Sequence, residues 1–239
     1  MTEVVMLLAE GSSEATLYVE LAKKLLRASK ATFNELSISV RDALRPMRKR
    51  LAIYKLCGKV ILVVLKCGGY ENLKHYIKIM LESPSLVDAI DEGLRRLIIA
   101  ADRDRSPVTS LYNVISSMGL KVALQGNIIT INVSNGRSLM LEVVEQGVDE
   151  ETRQLEDDLK SLVQQVWPII NEVIEKVKSA MGALNSKQTI GIYEAIAVNN
   201  EGLPSLIAQA IDKANIDELK AKLPKQIRVM EDLMEICKA

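Results

Sequence analysis

Four acidic side chains are spaced so that they could act on one ligand. Glu10 follows a short apolar run at residues 4–9 and is itself followed by Gly11, and Glu14 lies one helical turn further on. Far downstream, Asp102-Arg103-Asp104 follows a second apolar run at residues 97–101. Carboxylates gathered in one place repel each other unless a positive group neutralises them. Hard oxygen donors of this kind suit Mg²⁺ or Mn²⁺. Two Asp at alternate positions leaving a strand can present both carboxylates to one ion. The ordinary alternative is that acidic residues follow buried strands because helix N-termini favour negative charge. Either motif alone fits that alternative, but the two together on units of matching topology do not fit it as well. Gly11 beside Glu10 lets a backbone or a phosphate approach closely.

The elements that must position these groups follow from the hydrophobic pattern. Residues 4–9 (VVMLLA), 60–65 (VILVVL) and 97–101 (LIIAA) are short, apolar and partly β-branched, as buried strands are. A helix with Leu17, Leu21 and Leu25 on one face follows the first strand. The second ends near Cys67-Gly68-Gly69 and leads into a helix over about 72–81. The third leads into a helix over 108–118 that opens at Ser106-Pro107. Three strand–helix repeats predict an α/β fold with a Rossmann-like, mostly parallel sheet. Right-handed crossovers then place Glu10, Gly68, Gly69, Asp102 and Asp104 at one edge, the strand C-termini, where ligands bind in such sheets.

Beyond Gly119 the pattern changes. Residues 121–125, 128–133 and 139–144 read as short strands, joined by the turn pairs Gly126-Asn127 and Asn135-Gly136. Helices are expected over 151–165, 168–184, 187–198, 203–214 and 226–236. Two regions result: an α/β domain over 1–146 and a helical C-terminal region over 147–239. Residues 29–56 form a basic insertion, read as a helical excursion, with Arg41, Arg45, Arg48, Lys49 and Arg50. Arg41, Arg45 and Arg48 share a helix face if Pro46 is tolerated. Neutralising several phosphates would give them salt-sensitive affinity for nucleic acid, and a solvated surface helix is the even alternative. Arg103 and Arg105 flank the two aspartates and could touch a phosphate or hold the carboxylates. Phe33 and Tyr54 are the nearest aromatics, too few for base stacking.

Composition narrows the classes. The formal charge is +0, from 31 basic and 31 acidic residues, so nucleic acid must be met by a local patch and not by the whole surface. A single His, His75, leaves too few ligands for a usual zinc site. The odd number of cysteines (Cys57, Cys67, Cys237) argues against a disulfide framework, for buried inert thiols and for a reducing cytoplasm. No apolar run approaches the ~20 residues that span a bilayer, so no membrane contact is expected. No phosphate-binding G-x-x-x-x-G-K-[ST] or G-x-G-x-x-G motif occurs.

Glu10-Gly11-x-x-Glu14 after one apolar strand and Asp102-x-Asp104 after a later one resemble the TOPRIM domain. That domain occurs in topoisomerases, primases, recombination-repair proteins and OLD-family nucleases. The resemblance covers roughly residues 1–145 and looks closest to standalone archaeal TOPRIM-like proteins. It implies that Glu10 is a general acid or base or a metal ligand, and that Asp102 and Asp104 coordinate Mg²⁺. The insertion at 29–56 departs from compact members. The later half is similar to an acidic segment, here Leu155-Glu156-Asp157-Asp158-Leu159, and a Lys-led helix at Lys187. The resemblance makes Glu156 a candidate ligand for a second metal and Lys187 a candidate for stabilising a transferring phosphoryl group; Glu142 is a weaker candidate ligand. A charged helix face and a solvated lysine are the plain alternatives.

Three readings follow. The first is Mg²⁺- or Mn²⁺-dependent phosphodiester chemistry on DNA or RNA, with hydrolysis favoured because strand-passage and zinc modules are missing. The second is a non-catalytic nucleic-acid-binding or scaffold protein, and a protein partner could complete either. The third is a Rossmann-like phosphatase or nucleotide binder. Oligomeric state is not legible.

Overall fold

The computed structural model describes residues 2–134, 136–147 and 154–238. Eight strands form one sheet in the order β2-β3-β4-β1-β5-β8-β7-β6. In chain order they are β1 (Glu3–Ala9), β2 (Ser29–Ala31), β3 (Leu51–Cys57), β4 (Val60–Lys66), β5 (Leu94–Asp102), β6 (Lys121–Gln125), β7 (Ile128–Ser134) and β8 (Arg137–Gln146). The centre, β4-β1-β5-β8, is parallel. Antiparallel pairs flank it on both sides. The sheet is therefore mixed and not mostly parallel. The three strand–helix units are where the pattern placed them, but the parallel core has been extended by hairpin strands.

Two strands lie where a helical excursion was expected. Leu51–Cys57 buries Ile53 on one face and Tyr54 and Leu56 on the other, leaves only Lys55 exposed, and pairs antiparallel with β4. Lys55 within it and the basic residues before it obscured the strand. The helix inside the insertion, α2 (Ile38–Leu44), is short, and Pro46 opens a 3₁₀ stretch at Arg45–Arg50. Arg41, Arg45 and Arg48 consequently do not share one α-helical face. At the other side, β8 joins the sheet parallel to β5, bringing Gln146 into register with Asp102.

The core has two halves because β1 is buried on both faces and alternates between them. Val5, Leu7 and Ala9 face α1 (Ser12–Leu26) and the C-terminal helices. Those are α6 (Leu155–Val166), α7 (Pro168–Met181), α8 (Ser186–Ala197), α9 (Leu203–Lys213), α10 (Ile216–Lys222) and α11 (Pro224–Lys238). Val4, Met6 and Leu8 face α2, α3 (Tyr70–Leu81), α4 (Leu86–Asp91) and α5 (Pro107–Ser117). The helical C-terminal region thus shares its core with α1 and the sheet. Asn135 of the expected turn pair, and residues 151–153 of the expected helix over 151–165, lie outside the described residues.

Cys57 at the end of β3 and Cys237 in α11 are disulfide-bonded, with Cα atoms 6.0 Å apart and 180 residues between them in sequence. This corrects the expectation of inert thiols, which holds only for buried Cys67. Cysteine count and spacing do not reveal a pair so distant in sequence. Among the described residues no helix is long and apolar enough to cross a membrane.

Candidate metal centre

The chain leaves β1 at its centre, and its first residue past the strand is clamped by both neighbours. The Glu10 N–H donates to the Ala100 carbonyl at 2.9 Å, and the Glu10 carbonyl accepts from Gly68 N–H at 2.9 Å and Gly69 N–H at 2.8 Å. Gly68 and Gly69 have φ of 77° and 118°, which admits both amides to one carbonyl and excludes a side chain without strain. Both amides hold the Glu10 backbone. A Cβ at Gly11 would lie 2.7 Å from Glu14 Oε2, so Gly11 makes room for a carboxylate rather than for a phosphate.

Three carboxylates are each fixed by one oxygen. Glu10 Oε2 accepts from Asp102 N–H at 3.2 Å. Glu14 Oε2 accepts from Gly11 N–H at 2.9 Å. Asp102 Oδ1 accepts from Leu155 N–H, the first residue of α6, at 2.9 Å. The second oxygen of Glu10 and of Asp102 accepts no hydrogen bond among the described residues, whereas Glu14 also accepts from its own backbone N–H. Glu14 is only 7% exposed.

These groups suppress one another's ionisation. Burial pushes the Asp102 carboxyl up to about 7, and Glu14, Glu10 and Glu156 push the same way against the Leu155 N–H. Glu14 is raised by burial, with Glu10 and Glu156 adding to it. Glu10 is raised by burial and Asp104, opposed by the Asp102 N–H and by Arg105. Such mutual elevation is how gathered carboxylates behave without a neutralising charge.

The outer part of the site is a chain of polar contacts. Asp104 lies 3.5 Å from Arg105 and accepts from Gln154 at 3.2 Å. Gln154 Oε1 accepts from Lys187 Nζ at 3.1 Å, and Lys187 stands 4.0 Å from Glu156. Glu10, Glu14, Asp102, Asp104, Glu156 and Lys187 are therefore brought to one edge of the sheet. Glu142 is not: it is buried against Arg96, which also reaches Asp232 at 3.0 Å.

The basic segment is divided. Leu51 pairs with Leu65, so Arg48, Lys49 and Arg50 sit at the carboxylate edge. Arg50 lies beside Gly68 and 6.0 Å over the Tyr76 ring, and Arg48 lies 5.1 Å over Phe33. Arg41 lies in the last turn of α2, a helix whose start is tied to the opposite edge, where Ser39 N–H donates to Glu92 just before β5. Arg45 begins the climb between the two edges. Arg103 pairs with Glu145 at 3.6 Å.

Several supporting residues were not foreseen. Asp158 Oδ2 accepts from Gly147 N–H at 2.9 Å and from Gln226 at 3.0 Å. Gln226 also donates to Gln146 at 2.6 Å, and Gln146 to the buried Tyr18 hydroxyl at 3.2 Å. This network ties α1, β8, α6 and α11 together behind the site. Tyr18 at Glu14 plus four and Asp158 within the acidic segment were the available signals.

Oxygen donors of this set suit a hard divalent cation. Among the described residues, however, no three His, Cys, Asp or Glu side chains are arranged as a ready cage. No family model and no curated protein matches the chain. A crystal structure of a hypothetical protein from Pyrococcus horikoshii OT3 is similar over 100% of both chains, with 16% identity and a TM-score of 0.67. A crystal structure of a Thermus thermophilus protein covers 90% of this chain and 40% of its own, with 13% identity and a TM-score of 0.19, too low to bear on the fold. The chain thus shares an α/β fold along its whole length with the Pyrococcus protein.

Proposed function

We propose that this chain is a TOPRIM-like, metal-dependent nuclease that hydrolyses phosphodiester bonds of DNA or RNA. The observation that supports it best is the convergence of Glu10, Glu14, Asp102 and Glu156, whose chain positions span most of the sequence, onto one partly buried patch of mutually destabilised carboxylates. Isolated strand-end acids would not raise each other's pKa. Glu10, Glu14, Asp102 and Asp104 would hold Mg²⁺ or Mn²⁺, with Glu156 as ligand to a second ion. When bound, the ion polarises the phosphate and activates water. Backbone amides hold Glu14 and keep one oxygen of Glu10 and of Asp102 in place, so that the other oxygen of those two is offered in a fixed direction. Glu10 is the candidate general base. Lys187, held through Gln154, supplies a positive charge facing the transferring phosphoryl group. Arg48, Lys49, Arg50 and Arg105 steer the polyanion to this edge.

The absence of a ready cage among the described residues favours a second reading, a non-catalytic nucleic-acid-binding scaffold. A protein partner could complete either one. We keep the cytoplasm as the place of action; the Cys57–Cys237 bond argues against a strongly reducing one. Labelled single- and double-stranded DNA and RNA, assayed with Mg²⁺ or Mn²⁺, test the proposal. Cleavage by the wild type that is lost with chelator and in Glu10→Gln is the expected result. Binding that ignores chelator, with no product formed, selects the scaffold.

A further inference from the structure

β7 begins at Ile128, opposite Glu142, and Asn127 closes the ladder by bonding Val143 through its carbonyl and its side-chain amide, both at 2.9 Å. β8 runs on to Gln146 beside β5. Its outer edge past Val143 therefore has no strand beside it among the described residues. A groove of about 210 Å³ occupies that place, lined by Arg103, Asn127, Val144, Glu145, Lys225 and Arg228 among others.

The groove's own lining holds Arg103, Lys225 and Arg228 against Glu142 and Glu145, an excess of one cation. Glu142 shares Arg96 with Asp232, which lies 3.0 Å from that guanidinium, and Glu145 pairs with Arg103 at 3.6 Å. Lys225 donates to the carbonyls of Glu145 at 3.0 Å and Gly147 at 2.8 Å, which leaves one of its three donors. Arg228, three residues along α11, is exposed and has no ion pair among the described residues. Two cations thus border an open strand edge. Glu145 is in register with Ala101 and Gln146 with Asp102, so the groove adjoins the carboxylates within about 10 Å of backbone. No aromatic side chain lines it, so it offers nothing for a base to stack on.

We propose that this groove binds a backbone phosphate of a polynucleotide whose scissile bond lies at the carboxylate centre, with Arg228 and Lys225 as its ligands. The proposal rests on the nuclease reading and extends it to α11, an element beyond the strand–helix units. The strand is then gripped on both sides of the centre, by Arg48, Lys49 and Arg50 at β3 and by Arg228 at β8.

The test is fluorescence anisotropy with labelled single- and double-stranded DNA and RNA, in Ca²⁺ instead of Mg²⁺, over a salt series. Arg228→Glu is compared with Lys59→Glu, an equal charge reversal in the exposed turn before β4, at the opposite end of the sheet. Arg228→Glu is expected to weaken binding about tenfold and flatten the salt slope by about one, with Lys59→Glu within about twofold of wild type. Arg228→Ala should fall between, with melting curves checking that each variant folds. Equal binding by wild type and Arg228→Glu, or an equal loss in Lys59→Glu, overturns the groove while leaving the nuclease reading in place. No binding of any nucleic acid by the wild type overturns both.

Discussion

Replacing Asp102 with Asn should make the metal-free protein more stable and at the same time remove its response to metal. The Asp102 carboxyl has a native pKa of about 7 against an ordinary value of 3.8. Below about pH 4 both folded and unfolded chains hold this proton. As pH rises from about 4 to 7, the unfolded chain releases it first, so the folded state loses stability across that window. Above about pH 7 the full cost remains. Asn at this position keeps an oxygen to accept the Leu155 N–H but never ionises, so it escapes the cost. Discounted for the carboxyl's partial exposure, the gain is about 2 kcal/mol, or roughly 4–8 °C in Tm at pH 8, shrinking towards zero at pH 4. A bound cation must displace the same proton. The apparent wild-type affinity for Mn²⁺ should therefore rise about tenfold from pH 6 to pH 8, as the ionised fraction grows from about one in eleven to ten in eleven. Calorimetric titration with Mn²⁺ at pH 6, 7 and 8, with thermal melts in chelator at pH 4.5 and 8, reads both effects. An Asp102→Asn variant that melts below wild type at pH 8 and binds Mn²⁺ as well as wild type would refute the reasoning.

Other perturbations probe separate parts of the site and fold. Gly11→Ala puts a methyl group 2.7 Å from Glu14 Oε2 and should break the hydrogen bond that the residue 11 N–H donates to that carboxylate, lowering Mn²⁺ affinity by roughly tenfold in calorimetry. On the nuclease proposal, Lys187→Ala should lower the cleavage rate on the order of 100-fold with little change in binding, in single-turnover assays, because a charge facing the phosphoryl group would count most as that group transfers. Arg96→Ala leaves Glu142 buried and unpaired, and denaturant melts should show a loss of about 3–5 kcal/mol. The Cys57–Cys237 bond spans 180 residues, and the chain-entropy relation gives it about 5 kcal/mol, or on the order of 10 °C. Cys57→Ser with Cys237→Ser should melt lower by that amount and ignore dithiothreitol, which should lower the wild type equally.

What was legible in the sequence was what a local period or a strand end encodes. The runs ending before Glu10, Cys67 and Asp102 are buried on both faces, so their apolar character is continuous, and their parallel pairing follows from the helices between them. The edge strands were harder. β3 follows Arg50 and carries the exposed Lys55 among buried residues, so it reads as part of a charged helix unless its pairing with β4 is known. β8 looked like a third hairpin strand, and only its parallel register with β5 shows that it carries Gln146 to Asp102. The Glu156–Lys187 pairing and the Cys57–Cys237 bond join elements far apart in the chain, where no local spacing can indicate contact.

The arrangement of the C-terminal helices bears on why the carboxylates stay together at all. Burial raises the carboxyl pKa of Glu10, Glu14 and Asp102, and Glu10 adds to the rise at Glu14 and Asp102, so their charged forms would be favoured by turning outward to water. Each is instead tied to a backbone amide, and the tie on Asp102 comes from Leu155, the first residue of α6. That helix start is in turn fixed by Asp158, which Gly147 and Gln226 both hold, and Gln226 belongs to α11. The helices that fill one face of the sheet with Leu159, Leu162, Ile227 and Met230 thus hold a repulsive cluster in place with the free energy of apolar burial. A fold needing only stability would relax such a cluster, whereas one that must offer oxygens to a cation keeps it. Asp158→Ala separates these cases: it should loosen α6 and lower metal affinity while Asp102 itself is untouched, whereas a cluster with no ligand to hold would lose stability alone.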